Sequence, residues 1–226
     1  MNNDTEYKRN QIEAAIAEAT GRTGGRTHAP RQDLAIRLKR LLETDRALPL
    51  PGDRSAARRQ DYAFFDQPPQ GQGVEVTYSP YAVFALYLAV QVMDAGLPQS
   101  EAVGFVRRIR PDLEAEHRAI LNRDAEQLID HAAPHGLERE IKLGFLVREF
   151  KNMVFLVVPA SVHATALYSG KDRGLVNICR SGKQFQTAVE TTAILGGPLV
   201  VIELVNVIHR LAYWLERIEP IRRGRK

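Results

Sequence analysis

A chain of 226 residues with 44% apolar and 26% charged side chains can bury one full core or two small ones, which excludes disorder as the starting expectation. Its single cysteine, Cys179, excludes an intrachain disulfide and a cysteine-rich metal site, and favours a reducing compartment. The formal net charge of +4 is mild, and the longest uncharged apolar stretch, residues 192–202, ends at Glu203, short of the roughly 20 residues a spanning helix needs.

The first ten residues lack the apolar run of a secretory signal, so the expected setting is cytoplasmic with no membrane contact. Residues 5–19 read as an amphipathic helix, with Ile12, Ala15, Ile16 and Ala19 at helical spacing and Gly21 as its stop. The glycine-rich stretch that follows predicts a loop. A second helix is expected over 31–46, with Leu34, Leu38, Leu41 and Leu42 as its apolar stripe and Arg37, Lys39 and Arg40 pointing elsewhere. Pro49, Pro51 and Gly52 then break the chain. Residues 62–65 and 74–78 read as the strands of a β-hairpin with a long tip between them.

Ser79 and Pro80 predict a capped helix start, because the hydroxyl accepts a free backbone N–H and proline has none to satisfy in the first turn. The helix over 80–95 is apolar on most faces, and Gly96 ends it. A helix over 99–110 stops at Pro111, and a further amphipathic helix carries Leu113, Ile120, Leu121, Leu128 and Ile129 on one side. Pro134, His135 and Gly136 mark a boundary. Beyond it, 153–158, 174–179 and 183–190 read as strands, and 199–217 as a long helix introduced by Gly196, Gly197 and Pro198.

The charge is unevenly placed. Arg22, Arg26, Arg31, Arg37, Lys39, Arg40, Arg46, Arg54, Arg58 and Arg59 face only Asp33, Glu43, Asp45 and Asp53 over residues 22–59. Such a local excess attracts phosphate backbones through counterion release, whatever the base sequence. The candidate DNA contacts are Arg26, Arg31, Arg37, Lys39, Arg40, Arg54, Arg58 and Arg59.

The order of basic helix, hairpin and capped apolar helix is that of a winged helix-turn-helix module. Over residues 74–103, Tyr78, Val83, Leu86, Val90, Gly96, Ser100 and Glu101 occupy positions that resemble the wing exit and following helices of MerR-type regulators. The resemblance implies a DNA-binding transcriptional regulator working on double-stranded DNA. Upstream, residues 20–30 form a longer loop than the tight turn of that family, so no base-contact residue is carried over.

Signals for catalysis are missing: no GxSxG, Walker A loop, GxGxxG or Cys–His pairing occurs, and neither a catalytic group, a metal site nor a cofactor is expected. His131 and His135 are four apart, but Pro134 breaks the helical geometry a ligand pair would need. Asp112, Glu114, Glu116 and His117 read as a solvated helix face, and His163 and His209 as hydrogen-bonded core residues.

In the last helix, Val201, Leu204, Ile208, Leu211 and Leu215 follow heptad-like spacing. This stripe serves either to cover the small sheet or to pair two subunits, and the expectation favours a homodimer. Arg222, Arg223, Arg225 and Lys226 form a basic tail. The expected fold is mainly α with a β-hairpin wing in the N-terminal part and a small α+β C-terminal module. Residues 1–130 would bind DNA, and residues 137–226 would oligomerise or sense a ligand. The leading reading is a sequence-specific, homodimeric transcriptional regulator that is not an enzyme. Two others stand beside it: an adaptor docking on RNA polymerase or another regulator, and a small-molecule-sensing regulator.

Overall fold

The computed structural model describes residues 5–25, 28–49, 61–67, 76–128, 137–143, 149–159, 177–194 and 198–220. Seven α-helices dominate them: α1 (Arg9–Thr20), α2 (Gln32–Ala47), α3 (Pro80–Asp94), α4 (Gln99–Leu121), α5 (Leu137–Leu143), α6 (Gly182–Ala193) and α7 (Leu204–Arg217). Three strands, β1 (Phe155–Pro159), β2 (Asn177–Cys179) and β3 (Leu199–Glu203), form an antiparallel sheet in the order β2-β1-β3. None of the helices among the described residues is long and apolar enough to cross a membrane.

The axis of the fold is α3. Ser79 caps it, its Oγ accepting the Ala82 N–H at 3.2 Å, and Pro80 occupies the first turn, as the sequence predicts. Every residue from Pro80 to Val90 is buried, so α3 is enclosed by neighbours all round. Those neighbours are α1, α2, α4 and α7. One continuous core runs from Tyr7 to Ile218 and takes side chains from both sides of the boundary expected near residue 134, which itself lies outside the described residues.

Several elements differ from expectation. Pro111 does not stop a helix: α4 runs through it unbroken. The ring lies on an exposed face, where the carbonyl freed by its missing N–H can reach water. The buried stripe Val106, Ile109, Leu113 and Ile120 meanwhile continues along the packed side. Residues 183–190 belong to a helix, not a strand. Ser181 caps α6 by accepting the Gln184 N–H, and Ala188 and Thr192 turn one face of it inwards. The first five residues of the helix expected over 199–217 are β3. Its β-branched run pairs with β1 in the register Val157↔Val201, and Glu203 ends it by accepting the N–H groups of Val205 (2.9 Å) and Asn206 (2.7 Å). The β-branched residues win the strand, and the helix begins only where the carboxylate caps it.

The expected hairpin falls partly on residues outside the described set. Among the described ones, 62–65 form a turn without strand pairing, and Tyr78 pairs with Tyr7 in an isolated antiparallel bridge. Residues 5–8 accordingly precede α1 and do not form its first turn.

Two buried charges fix that turn. Asp45, fully buried on α2, accepts the Ala63 N–H (3.0 Å), the Phe64 N–H (2.9 Å) and Arg107 Nε–H (2.7 Å). Arg110, 1% exposed on α4, donates through Nη1 to the Tyr62 and Phe65 carbonyls, each at 2.7 Å, and through Nη2 to Asp66 at 2.7 Å. Irregular backbone can be buried only if its polar groups find partners, and these two side chains supply them. Asp45→Ala strands two backbone N–H groups and the Arg107 guanidinium together. It should cost about 3–5 kcal/mol in urea unfolding, the range for breaking a buried pair from one side. A loss under about 1 kcal/mol would mean that water replaces the carboxylate.

Candidate nucleic-acid interface

Helix α2 has two chemically distinct sides. Leu34, Leu38, Leu41 and Leu42 are at most 3% exposed, packed towards α1, α3 and α4. Opposite them Ile36, Lys39, Arg40 and Glu43 face solvent, at the spacing of one helical face. Lys39 Nζ lies 3.7 Å from Glu43, one turn on, with both side chains about three-fifths exposed. Arg40 is exposed and forms no ion pair among the described residues. Ile36, 42% exposed, is an apolar residue in the middle of this polar face.

Arg31 stands at the N-terminal end of α2, exposed, with Nε 3.4 Å from Asp33. The loop before it is drawn together by a bridge between Thr23 and Pro30. The Gly24 N–H donates to the Ala29 carbonyl (2.8 Å) and the Arg31 N–H to the Arg22 carbonyl (2.9 Å). Gly21 at its start has φ +67°, the left-handed conformation that ends α1. His28 returns to Glu18, with 2.7 Å between Nδ1 and Oε1, and its ring sits 5.5 Å from that of Trp214 on α7.

Arg37 lies at the border of the two sides and is engaged within the chain. Its Nη1 donates to Asp94 Oδ1, while Arg22 Nη2 donates to Asp94 Oδ2 at 2.5 Å. The structure thus gives Arg37 an intrachain anion on another helix, which Lys39 and Arg40, with which the sequence groups it, do not share. Arg26, Arg54, Arg58 and Arg59 lie outside the described residues. The two flanks of the segment holding the last three are both tied to α4: Arg107 Nη1 donates to the Pro49 carbonyl (3.1 Å) and Arg110 to that of Tyr62.

Leu204, Ile208, Leu211 and Leu215, expected at a subunit seam, are at most 2% exposed within the single chain, where α7 lies across α1, α3 and α4. Val201, on β3, is 43% exposed. The stripe thus covers neither the small sheet nor, within this chain, a subunit seam: it packs on the N-terminal helices.

The acidic and histidine candidates also move. Asp112 is exposed as expected, but Glu116 and His117 are buried at 3% and 6% exposure, which corrects the solvated reading. Glu116 Oε2 receives Arg180 Nε at 2.7 Å, and the His117 ring stacks on Phe84 with centroids 5.4 Å apart. His209 is buried beside the Ile120 carbonyl, and its Nε2 has no partner among the described residues. His131, His135 and His163 lie outside the described residues. Among those described, no group of three or more His, Cys, Asp or Glu side chains could hold a metal ion. Burial pushes the Cys179 thiol up and so away from the reactive thiolate.

No family model, curated protein or solved structure matches this chain.

Sequence reasoning passes over Asp45, Asp94, Arg107 and Arg110. For Asp45 a signal exists: it continues the stripe of Leu34, Leu38 and Leu41 at helical spacing, and a carboxylate on an apolar stripe needs a buried partner. Arg110 gives the same signal on the stripe of Val106, Ile109 and Leu113. Asp94 gives none, since only the folded chain brings Arg22 and Arg37 to it.

Burial among Phe84 and Tyr81, with repulsion from His209 and Arg118, pushes the His117 imidazole down from 6.5 to about 3. Between those values the unfolded chain takes up a proton that the folded chain refuses. Stability is therefore full above 6.5 and is lost as pH falls, by about 1.4 kcal/mol per unit. From pH 6.5 to 5 this amounts to about 2 kcal/mol, and His117→Phe should remove that much of the slope in urea titrations. Wild type and variant with parallel pH profiles would place the imidazole in contact with water.

Proposed function

We propose that this chain is a sequence-specific DNA-binding transcriptional regulator that reads duplex DNA with the outer face of α2. The observation that carries the reading is the division of that helix. A fully packed leucine stripe holds it rigidly, and the opposite side offers Ile36, Lys39 and Arg40, with Arg31 at its N-terminal end. Lys and Arg on an exposed helix suit phosphates and guanine edges in the major groove, and an isoleucine among them suits a thymine methyl. The sequence adds Arg54, Arg58 and Arg59 in a segment whose flanks are held on α4.

Pairing of two copies on a two-fold site remains part of the proposal. The α7 stripe is spent on the chain's own core, so the contact between copies falls to another surface, with Val201 the seam residue within reach. The adaptor reading draws on a different feature, the rings of Phe150, Phe155 and Phe185. Their centroids lie 4.8–5.6 Å apart, and Phe150 is 47% exposed.

Lys39→Ala with Arg40→Ala tests the leading reading, because both side chains point away from the core and the fold should persist. Titration of a labelled duplex at several salt concentrations should show a salt slope flatter by about 0.9 for each phosphate that the variant no longer neutralises. Where a side chain reads a base, affinity should fall by about 1–3 kcal/mol. An unchanged affinity and slope would remove α2 as the reading helix. A wild-type chain that ignores duplex DNA would favour the adaptor.

A further inference from the structure

We propose that Arg22 and Arg37 form a phosphodiester-binding site whose place is held in the free protein by the Asp94 carboxylate. The inference rests on the DNA-binding reading and names one of its contact points. Three elements meet there: Arg22 follows the end of α1, Arg37 lies on α2, and Asp94 is the last residue of α3. Arg22 approaches the carboxylate with both terminal nitrogens, Nη2 to Oδ2 at 2.5 Å and Nη1 to Oδ1 at 3.5 Å, and Arg37 Nη1 takes Oδ1 as well.

Two guanidinium groups thus share one anion. The cluster keeps a surplus positive charge and more N–H donors than a single carboxylate can accept. All three side chains remain in contact with water, at 28%, 36% and 27% exposure for Arg22, Arg37 and Asp94. Ion pairs that keep about a third of their surface in water are partly screened, so the cluster adds only modestly to stability. Asp94 also sits at the C-terminus of α3, the end where the helix dipole disfavours a negative charge. Helix α3 therefore loses nothing when the carboxylate turns out to solvent.

A phosphodiester presents the same charge of minus one and the same fork of two oxygens, which guanidinium groups bind in bidentate fashion. The exchange of one anion for the other keeps the local charge balanced. The position is continuous with the exposed face of α2. Arg40 is three residues on from Arg37 and on the same side, where Gln99 Nε2 donates to the Arg40 carbonyl at 3.3 Å. Arg31 is joined to Arg22 through the backbone at 2.9 Å. A duplex lying on Lys39 and Arg40 brings its backbone past this border.

The test uses the full chain, a fluorescein-labelled duplex and anisotropy titrations over a series of salt concentrations. Asp94→Asn should tighten binding roughly eightfold at 0.1 M salt and steepen the salt slope by about 0.9, since the displaced carboxylate no longer cancels one cation beside the duplex. Arg22→Ala with Arg37→Ala should flatten the slope relative to wild type and abolish the effect of Asp94→Asn when the three changes are combined. Glu190→Gln, on α6, should change neither quantity. On the unaltered protein, phenylglyoxal labelling of Arg22 and Arg37, read by mass spectrometry, should fall when duplex is added, which keeps the test independent of any variant's folding.

An Asp94→Asn protein with the wild-type slope, or a steepening that persists without Arg22 and Arg37, would overturn the site. So would labelling of both arginines that duplex leaves unchanged. If Lys39→Ala with Arg40→Ala flattens the slope while Asp94→Asn does not steepen it, the site fails and the DNA-binding reading stands. Absence of binding by the wild-type chain fails both.

Discussion

The turn at residues 62–66 places Tyr62, Ala63, Phe64 and Phe65 in the core without a helix or strand to satisfy its backbone. Asp45 answers two of its N–H groups and Arg110 two of its carbonyls, and each of these charges is itself paired, Asp45 with Arg107 and Arg110 with Asp66 and Glu114. The cost of removing them from water is offset by several partners at once, three donors on Asp45 and four acceptors around Arg110. The arrangement consequently ties α2 to α4, since a charge from each helix holds the same turn and Arg107 on α4 pairs with Asp45 on α2. It also brings both flanks of the arginine-rich segment 50–60 to Arg107 and Arg110, within one turn of a single helix.

Helix α7 imposes the second constraint. It comes last among the helices, yet it lies against α1, α3 and α4, so the N-terminal helices have no complete core without it. Polar contacts tie the same elements. Gln11 on α1 donates to the Ile218 carbonyl at 2.7 Å, and Arg210 on α7 donates to the Ala19 carbonyl at 2.9 Å. The sheet joins this body through β3, which runs directly into α7. The loop between α1 and α2 rests on α7 through His28 and Trp214. A displacement of α7 is therefore felt at Arg22 and Arg31, the base of the basic face.

Local signals carry much of the fold. Ser79 and Pro80 mark the start of α3, Gly21 the end of α1, and the leucine spacing of α2 gives both its extent and its buried side. The failures occur where tertiary packing outweighs a local preference. Pro111 is tolerated because its face is exposed and the stripe around it is needed. The Thr and Val residues of α6 suggest a strand until the Ser181 cap is taken into account. Residues 199–203 fit a helical stripe as well as a strand, and only pairing with β1 decides. The basic face of α2 is legible because exposure follows from the position of the leucines. The engagement of Arg37 is not, since Asp94 lies 57 residues away in the chain.

Counting charges from sequence treats ten cations over residues 22–59 as equivalent, whereas the fold assigns them different tasks. Arg46 lies over the Phe65 ring at 5.0 Å, where its charge is held by an aromatic face. Arg22 and Arg37 divide one carboxylate between them, and Lys39 and Arg31 have weak, exposed partners that salt or a competing anion can displace. Asp45, which the sequence counts against the cations, is fully buried and paired with Arg107, so it neutralises nothing at the surface. Asp45 therefore drops out of the surface balance of α2, and Asp94, from outside the segment, enters it. The carboxylates left near α2 are Asp33, Glu43 and Asp94, each in an exposed or partly exposed ion pair that salt screens.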